Sequence, residues 1–216
     1  MKVGTCLNPL HTALAVYGCL LGYTSIAAEM GDADLKALVE QIAAESLPVV
    51  EDPGILSPRA FIDEVLHERF PNPAIPDTPQ RIAADTSQKL PVRYGGTLRR
   101  YARQSEQALA GLEFAPLVFA GWCRYLLGVD DRGNAMPVSP DPMLPQLQAH
   151  LKGIEVGRPD SLAGQLRPIL SNAALFGVDL YAAGLGERTE EMFRDMLAGP
   201  GAVRATLHRN CACKQP

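Results

Sequence analysis

The stretch that decides the fold is Lys2-Val3-Gly4-Thr5-Cys6-Leu7-Asn8-Pro9-Leu10-His11, and the apolar run 12–23 follows it directly. Proline suits the first turn of a helix, so this run predicts a buried helix from Pro9 to about Ala28. Asn8 and His11 are three residues apart and share a face of that helix. Lysine accepts a proton when burial lowers its pKa, and asparagine and histidine donate hydrogen bonds to an oxygen that gains negative charge. The stretch therefore predicts a site that moves a proton on and off a hydroxyl group.

Two plainer interpretations of the same residues stay open. Asn8 before Pro9 has the form of a helix N-cap, His11 then serves only the core, and Lys2 is an ordinary terminal residue. Alternatively, Lys2, the apolar run and the small residues 25–28 form a secretory signal peptide. Asn8, Pro9 and His11 inside the would-be apolar segment argue against a signal peptide.

Composition favours one large domain. The chain has 216 residues, 47% of them hydrophobic, with a net charge of −4 and five cysteines. Scattered lysines and arginines exclude a nucleic-acid surface, and no stretch is apolar enough throughout to cross a bilayer. Cysteines without a regular spacing indicate a reducing compartment, so we expect a cytoplasmic protein.

The rest of the chain has the pattern of helices joined by proline-rich connectors. Helix starts are predicted at Asp32, Ser57-Pro58 and Thr78-Pro79. A central helix is predicted from Glu113 to Gly128, and no segment alternates like a strand. The pattern therefore predicts an all-α protein, with further helices expected at 97–109, 142–152, 161–170 and 189–198.

A second polar group lies on the helix predicted to run from Thr78 to Pro91. Arg81, Asp85 and Lys89 recur at a spacing of four residues and share a face. Such side chains can grip hydroxyl groups or a carboxylate, although a solvated helix surface with an Arg81–Asp85 pair has the same pattern.

Metal and nucleotide motifs are incomplete. His208, Cys211 and Cys213 resemble metal ligands, but their spacing fits no closed four-ligand site and they lie in what we expect to be a tail. Gly184-Leu185-Gly186 is only a fragment of a dinucleotide-binding turn, and no strand precedes it. We expect neither a metal site nor a nucleotide-binding half.

Several motifs, taken together in their order, resemble the C-terminal domain of the polyol-specific long-chain dehydrogenases, the mannitol dehydrogenase and fructuronate reductase family. The resemblance covers most of the chain and implies a multi-helix substrate domain like that of 6-phosphogluconate dehydrogenases. The motifs are Lys2…Leu7-Asn8-Pro9-Leu10-His11, Arg69-Phe70-Pro71-Asn72-Pro73, Arg81-Ile82-Ala83-Ala84-Asp85-Thr86-Ser87-Gln88-Lys89-Leu90-Pro91 and Ala120-Gly121-Trp122-Cys123-Arg124-Tyr125.

The resemblance also implies an activity. Family members interconvert a secondary alcohol of a polyol or sugar acid, of the mannitol or mannonate type, with its ketone, using NAD or NADP and no metal. It implies that Lys2 is the general acid/base, that Asn8 and His11 polarise the substrate oxygen, and that Arg81 and Lys89 bind the far end of the substrate. The spacing from Lys2 to Asn8 is one residue longer than the family's, so Lys2 is the site residue that matches the family pattern least well.

Residues 1–216 are thus expected to form the helical domain alone, without the N-terminal Rossmann domain that binds NAD(P). Hydride transfer needs both domains, so we expect the isolated chain to be inactive and its partner to be a separate Rossmann domain or subunit. The competing hypothesis is a non-catalytic helical interaction module or a decayed enzyme fragment.

Overall fold

The computed structural model describes residues 6–50, 54 and 57–212. Within those ranges the chain is helical, and the extended pairings are two isolated bridges at Val129–Ala135 and Glu155–Arg158. The prediction of an all-α fold is confirmed. The helices are α1 (Asn8–Leu21), α2 (Ile26–Glu29), α3 (Ala33–Ser46), α4 (Pro58–Glu64), α5 (Pro79–Ala83), α6 (Thr86–Arg93), α7 (Gly95–Gln104), α8 (Glu106–Ala110), α9 (Phe114–Tyr125), α10 (Leu144–His150), α11 (Arg167–Leu170), α12 (Ala173–Phe176), α13 (Gly186–Met196) and α14 (Ala202–Ala212).

Helices α1 and α9 form the centre of the molecule. All twelve residues of α9 are buried, as are the α1 residues from Pro9 to Leu20. The two helices touch where Gly121 lies against the ring of Tyr17, whose hydroxyl donates to the carbonyl of Leu117 at 2.8 Å. Helices α3 and α5 also pack on α1, and α13 packs on α9. Buried helices that are apolar nearly all the way round are what the two most hydrophobic stretches predicted.

The first helix is shorter than predicted. It ends at Leu21 because Gly22 adopts a left-handed conformation, with φ of 80°, and closes the last turn. Residues 26–29 form a separate short helix, α2, capped by the side chain of Ser25. Leu7, rather than Asn8, occupies the N-cap position, so Asn8 does not play the capping role that the plainer interpretation gave it.

The helix predicted from Thr78 to Pro91 is broken in two. Thr78 caps α5 as expected, but Asp85 has φ of 53° and separates α5 from α6. Pro91 lies inside α6 instead of ending the helical segment. The predicted helix at 97–109 is likewise interrupted, because extended Ser105 ends α7 and caps α8.

Other predicted starts are confirmed at their caps. Asp32 accepts from the backbone amides of α3, and Ser57 accepts from the amide of Ala60 in α4. The C-terminal tail prediction was wrong, since residues 202–212 form α14. Helix α14 packs on α3, where Arg204 binds the carboxylates of Asp32 and Asp34.

The described cysteines are buried and free of disulfides, namely Cys6, Cys19, Cys123 and Cys211. Burial raises the pKa of Cys19, Cys123 and Cys211 to about 12. None of the helices formed by the described residues has the length and apolar character needed to cross a membrane.

Candidate functional site

The N-terminal half of α1 carries the candidate site. Asn8 occupies the first turn and is half-buried, and His11 lies one turn further on the same face. The carbonyl of Asn8 accepts hydrogen bonds from the hydroxyl of Thr12 at 3.0 Å and from Nη1 of Arg93 at 3.4 Å. Arg93 also donates to the Thr12 hydroxyl at 2.6 Å. The end of α6 therefore fixes the turn of α1 that presents Asn8.

His11 is 8% exposed and sits between a carboxylate and an aromatic ring. Its Nε2 lies 3.4 Å from Oδ2 of Asp77, and its ring centroid is 5.2 Å from that of Phe70. Burial lowers the pKa of His11 to about 4; Asp77 opposes this shift, and Arg93, Arg81 and Arg69 reinforce it. The imidazole is therefore neutral at pH 7.

Arg81 joins the same carboxylate from the other side. Its Nη2 binds Oδ1 of Asp77, so one carboxylate contacts both His11 and Arg81. The pair expected between Arg81 and Asp85 is not formed, because the chain breaks at Asp85. Arg81 keeps 62% of its side-chain surface exposed, which leaves its guanidinium accessible to a ligand.

Lys89 reaches the site from α6 and closes the end of α5. Its ammonium donates to the carbonyl of Ile82 at 3.0 Å and to that of Ala84. Burial and the neighbouring charge of Arg93 lower its pKa. Two of the three N–H groups of its ammonium therefore hold the end of α5, and the third can donate to a ligand.

The neighbouring Ser87 serves the scaffold. Its backbone amide and hydroxyl donate to the carboxylate of Asp141 at 2.8 and 2.5 Å. Asp85 is held in the same way, since its amide donates to the carbonyl of Pro140 at 2.9 Å. The 139–141 segment thus fixes the break between α5 and α6.

The structure accordingly joins His11 to Arg81 through Asp77 and places Arg93 on the turn of Asn8. Lys89 lies within range of the charges of Arg81 and Arg93, whereas Lys2 lies outside the described residues. Sequence reasoning missed Asp77 and Arg93. Their spacing offered a signal, because Asp77 is four residues before Arg81 and Arg93 is four residues after Lys89.

The other candidates do not form a site. His208 contacts Asp34 at 2.9 Å through Nδ1, Cys211 is buried, and Cys213 lies outside the described residues. No cluster of three metal-binding side chains occurs within the part of the chain that the structure describes. Gly186 is the first residue of α13, and no strand among the described residues precedes the Gly184-Leu185-Gly186 fragment.

The fold matches a solved enzyme structure over its whole length. That structure is Pseudomonas fluorescens mannitol 2-dehydrogenase in ternary complex with NAD and D-mannitol, with a TM-score of 0.81 and 26% identity, covering 100% of this chain and 40% of that one. The chain therefore has the fold of the part of this mannitol 2-dehydrogenase that it covers. The family model described as the mannitol dehydrogenase C-terminal domain matches residues 1–191, and the chain belongs to this family.

Curated relatives point to the same group of oxidoreductases. The chain is 56% identical over 207 residues to a D-mannonate oxidoreductase of Thermotoga maritima, covering 96% of this chain and 38% of the relative. It is 36% identical over 183 residues to a mannitol 2-dehydrogenase of Emericella nidulans, covering 81% of this chain and 32% of the relative. The chain thus spans 32% to 38% of the length of these relatives.

Proposed function

We propose that this chain is the substrate domain of an NAD(P)-dependent oxidoreductase that interconverts a secondary alcohol of a polyol or sugar acid with the corresponding ketone. The observation that carries the proposal is the meeting of a neutral, largely buried His11 with cationic Arg81, Lys89 and Arg93 beside the first turns of α1. Membership of the mannitol dehydrogenase family supports it.

The reaction separates a hydride from carbon and a proton from oxygen. In the proposal Lys2 takes the hydroxyl proton, and the amide of Asn8 donates a hydrogen bond to the same oxygen as its negative charge develops. His11 lies against the substrate beside Asn8. Arg81 and Lys89 bind the remainder of the molecule through hydroxyl or carboxylate oxygens.

The charge of the cluster favours a sugar acid over an uncharged polyol. Around His11, three arginines, Arg69, Arg81 and Arg93, act against one carboxylate, Asp77. Around Lys89, the charges of Arg81 and Arg93 are matched by the carboxylates of Asp85 and Asp141, so the positive surplus lies at the His11 end of the cluster. A surplus of positive charge in a partly buried site attracts a carboxylate. The name of the Thermotoga maritima relative, a D-mannonate oxidoreductase, is consistent with such a substrate.

NAD or NADP supplies the hydride acceptor when bound, and we propose that a separate Rossmann domain or subunit holds it. The described residues contain no strand followed by a glycine turn, which is what the pyrophosphate of a dinucleotide requires. A cavity of about 570 Å³ lies between α7–α8 and residues 178–184, and His11, Arg81 and Lys89 are not among its lining residues. The candidate site is therefore one wall of a cleft. The buried thiols of Cys19, Cys123 and Cys211, which form no disulfide, support a cytoplasmic location for the assembled enzyme.

A chimera provides the test. The chain replaces the matching segment of the Thermotoga maritima relative, and turnover of NAD(H) and NADP(H) is measured with mannonate, fructuronate, mannitol and fructose. We expect turnover with the sugar acids by the chimera and none by the chain alone. Asn8→Ala lowers kcat by about 10²-fold or more, as expected when a donor to the reacting oxygen is lost, and His11→Ala lowers kcat/KM because a substrate contact is lost.

The matched control is His150→Ala, which removes a partly exposed imidazole at the end of α10. It leaves kcat and KM unchanged. A folded chimera whose turnover is indifferent to Asn8→Ala and His11→Ala contradicts the proposal and supports a non-catalytic helical module.

A further inference from the structure

Asp77 lies between His11 and Arg81. One of its oxygens faces Nε2 of His11 at 3.4 Å, and the other is bound by Arg81. The Asp77 side chain is 17% exposed and that of His11 is 11% exposed, so water screens their contact weakly. This carboxylate is the nearest anion among the groups that act on the imidazole.

The backbone of Asp77 is held in place as firmly as its side chain. Its amide donates to the carbonyl of Ile75 at 2.8 Å, and its carbonyl accepts from the amide of Ile26 at 3.0 Å. Asp77 is thus tied to the start of α2 and precedes the cap of α5, and both helices pack on α1. The orientation of the carboxylate relative to His11 is therefore a property of the fold.

A neutral imidazole carries one proton, and its neighbours decide which nitrogen holds it. Nε2 is buried and has no hydrogen-bond partner of good geometry among the described residues. A carboxylate 3.4 Å away attracts an N–H and repels a lone pair, so the proton is more stable on Nε2 than on Nδ1. We infer that Asp77 is a positioning residue that holds the proton of His11 on Nε2 and leaves Nδ1 as a hydrogen-bond acceptor.

This tautomer changes what His11 does for a substrate. Because Nε2 is buried, a ligand meets the remaining edge of the ring, where Nδ1 is the other nitrogen. An unprotonated Nδ1 accepts a hydrogen bond from a substrate hydroxyl and cannot donate to a keto oxygen. Donation to the reacting oxygen then falls to Asn8. This substrate role depends on the proposed function, whereas the tautomer itself does not.

The test is an imidazole nitrogen NMR spectrum of the ¹⁵N-labelled chain at pH 7, with the His11 signals assigned by their loss in His11→Gln. We expect the wild type to show protonated Nε2 and unprotonated Nδ1. Asp77→Ala shifts the population toward the other tautomer, and Asp77→Asn, which keeps the size but removes the charge, shifts it in the same direction. Arg81→Gln raises the pKa of His11, because that guanidinium lowers it.

Asp195→Asn is the matched control, since it also removes a carboxylate that binds an arginine, Arg209, on another helix. It leaves the His11 spectrum unchanged. Protonated Nδ1 in the wild type, or the same tautomer ratio in the wild type and both Asp77 variants, overturns the inference. The spectrum requires no turnover, so an inactive chimera together with protonated Nε2 in the wild type contradicts the proposed function alone.

Discussion

At the scale of single residues, Glu29 is the most unusual side chain. It is fully buried in α2, and neither carboxyl oxygen has a hydrogen-bond partner among the described residues. Burial raises the pKa of Glu29 to about 9, with the charge of Asp32 adding to the shift. The side chain is therefore neutral at pH 7 and ionises only at a free-energy cost.

The two perturbed groups give opposite pH dependences. The pKa of Glu29 is about 9 in the folded chain and ordinarily 4.5, so its contribution to stability is lost as pH rises through that window. The pKa of His11 is about 4 in the folded chain and ordinarily 6.5, so its contribution to stability is lost as pH falls through that window. The two contributions to the free energy of unfolding change in opposite directions at mildly acidic pH. Above the ordinary pKa of His11, 6.5, only the contribution of Glu29 still changes with pH.

We therefore predict that the ionisation of Glu29 lowers the free energy of unfolding between neutral pH and pH 9, by at most about 1.4 kcal/mol per pH unit. Glu29→Gln, which is neutral at every pH, flattens the decline. Urea unfolding at several pH values measures it. The control Glu40→Gln alters an exposed glutamate of α3 and keeps the wild-type slope. Equal slopes in wild type and Glu29→Gln would show that Glu29 does not carry this dependence.

Residue spacing predicted part of the candidate site. Asn8 and His11 were found because one helix turn brings them to the same face. Asp77 and Glu29 were missed because their importance comes from contacts with distant residues, His11 and Gly18. A local pattern contains no information on such contacts.

At the scale of helices, α1, α2 and α5 meet at a glycine. A Cβ atom built on Gly18 would lie 2.1 Å from Oε1 of Glu29 and 2.8 Å from Cγ of Pro79. Gly18 therefore provides the space in which α2 and α5 approach α1. Because α5 and α2 both contact the Asp77 backbone region, this crossing supports the candidate site.

Gly18→Ala is predicted to destabilise the fold by about 1–3 kcal/mol, because the added methyl group overpacks the crossing. The matched control is Gly96→Ala in α7, where a Cβ meets nothing within 4 Å. That variant is expected to stabilise by about 0.5–1 kcal/mol, the helix preference of alanine over glycine. Urea titrations give both values, and a Gly18→Ala variant as stable as Gly96→Ala would contradict the steric argument.

Helix starts were predictable and helix breaks were not. Ser57, Asp32 and Thr78 cap helices because their side-chain oxygens accept nearby amides, a local interaction that the sequence displays. The break at Asp85 depends on the carbonyl of Pro140, more than fifty residues away. Helix α14 could have been found, since Val203, Leu207 and Cys211 recur every four residues and are buried.

At the scale of the whole molecule, distant segments are joined by charged groups at helix ends. The carboxylate of Glu45, at the end of α3, accepts hydrogen bonds from the amides of Glu113, Phe114 and Ala115 at 2.6, 2.9 and 3.1 Å. It thus caps α9, because the N-cap residue Glu113 makes no side-chain capping hydrogen bond to that helix. One side chain fixes the central helix to the first half of the chain.

Glu45→Ala is predicted to cost about 2 kcal/mol, because buried amides at a helix N-terminus lose a charged acceptor. Glu45→Gln retains an acceptor oxygen and costs less. Glu40→Ala, on the exposed side of the same helix, serves as control with an effect within about 0.5 kcal/mol. Thermal unfolding of the variants measures the differences; equal losses for Glu45→Ala and Glu40→Ala would show that the cap is dispensable.

The overall architecture was predictable because apolar content without strand alternation leaves a helical bundle as the solution. The placement of α14 on α3 was not, since it depends on Arg204 meeting Asp32 and Asp34 across the chain. The pKa of Asp32 falls to about 2 beside that guanidinium and the amide donors of α3.

The sulfur atoms of the interior have a practical consequence. With pKa values of about 12, the thiols of Cys19, Cys123 and Cys211 are almost never thiolates at neutral pH while the chain is folded. Alkylating reagents and peroxide react with the thiolate, so modification at these positions has to wait for an opening of the helices. The rate at which each cysteine is labelled therefore reports how often the helices around it open, so the native cysteines are built-in probes of local unfolding.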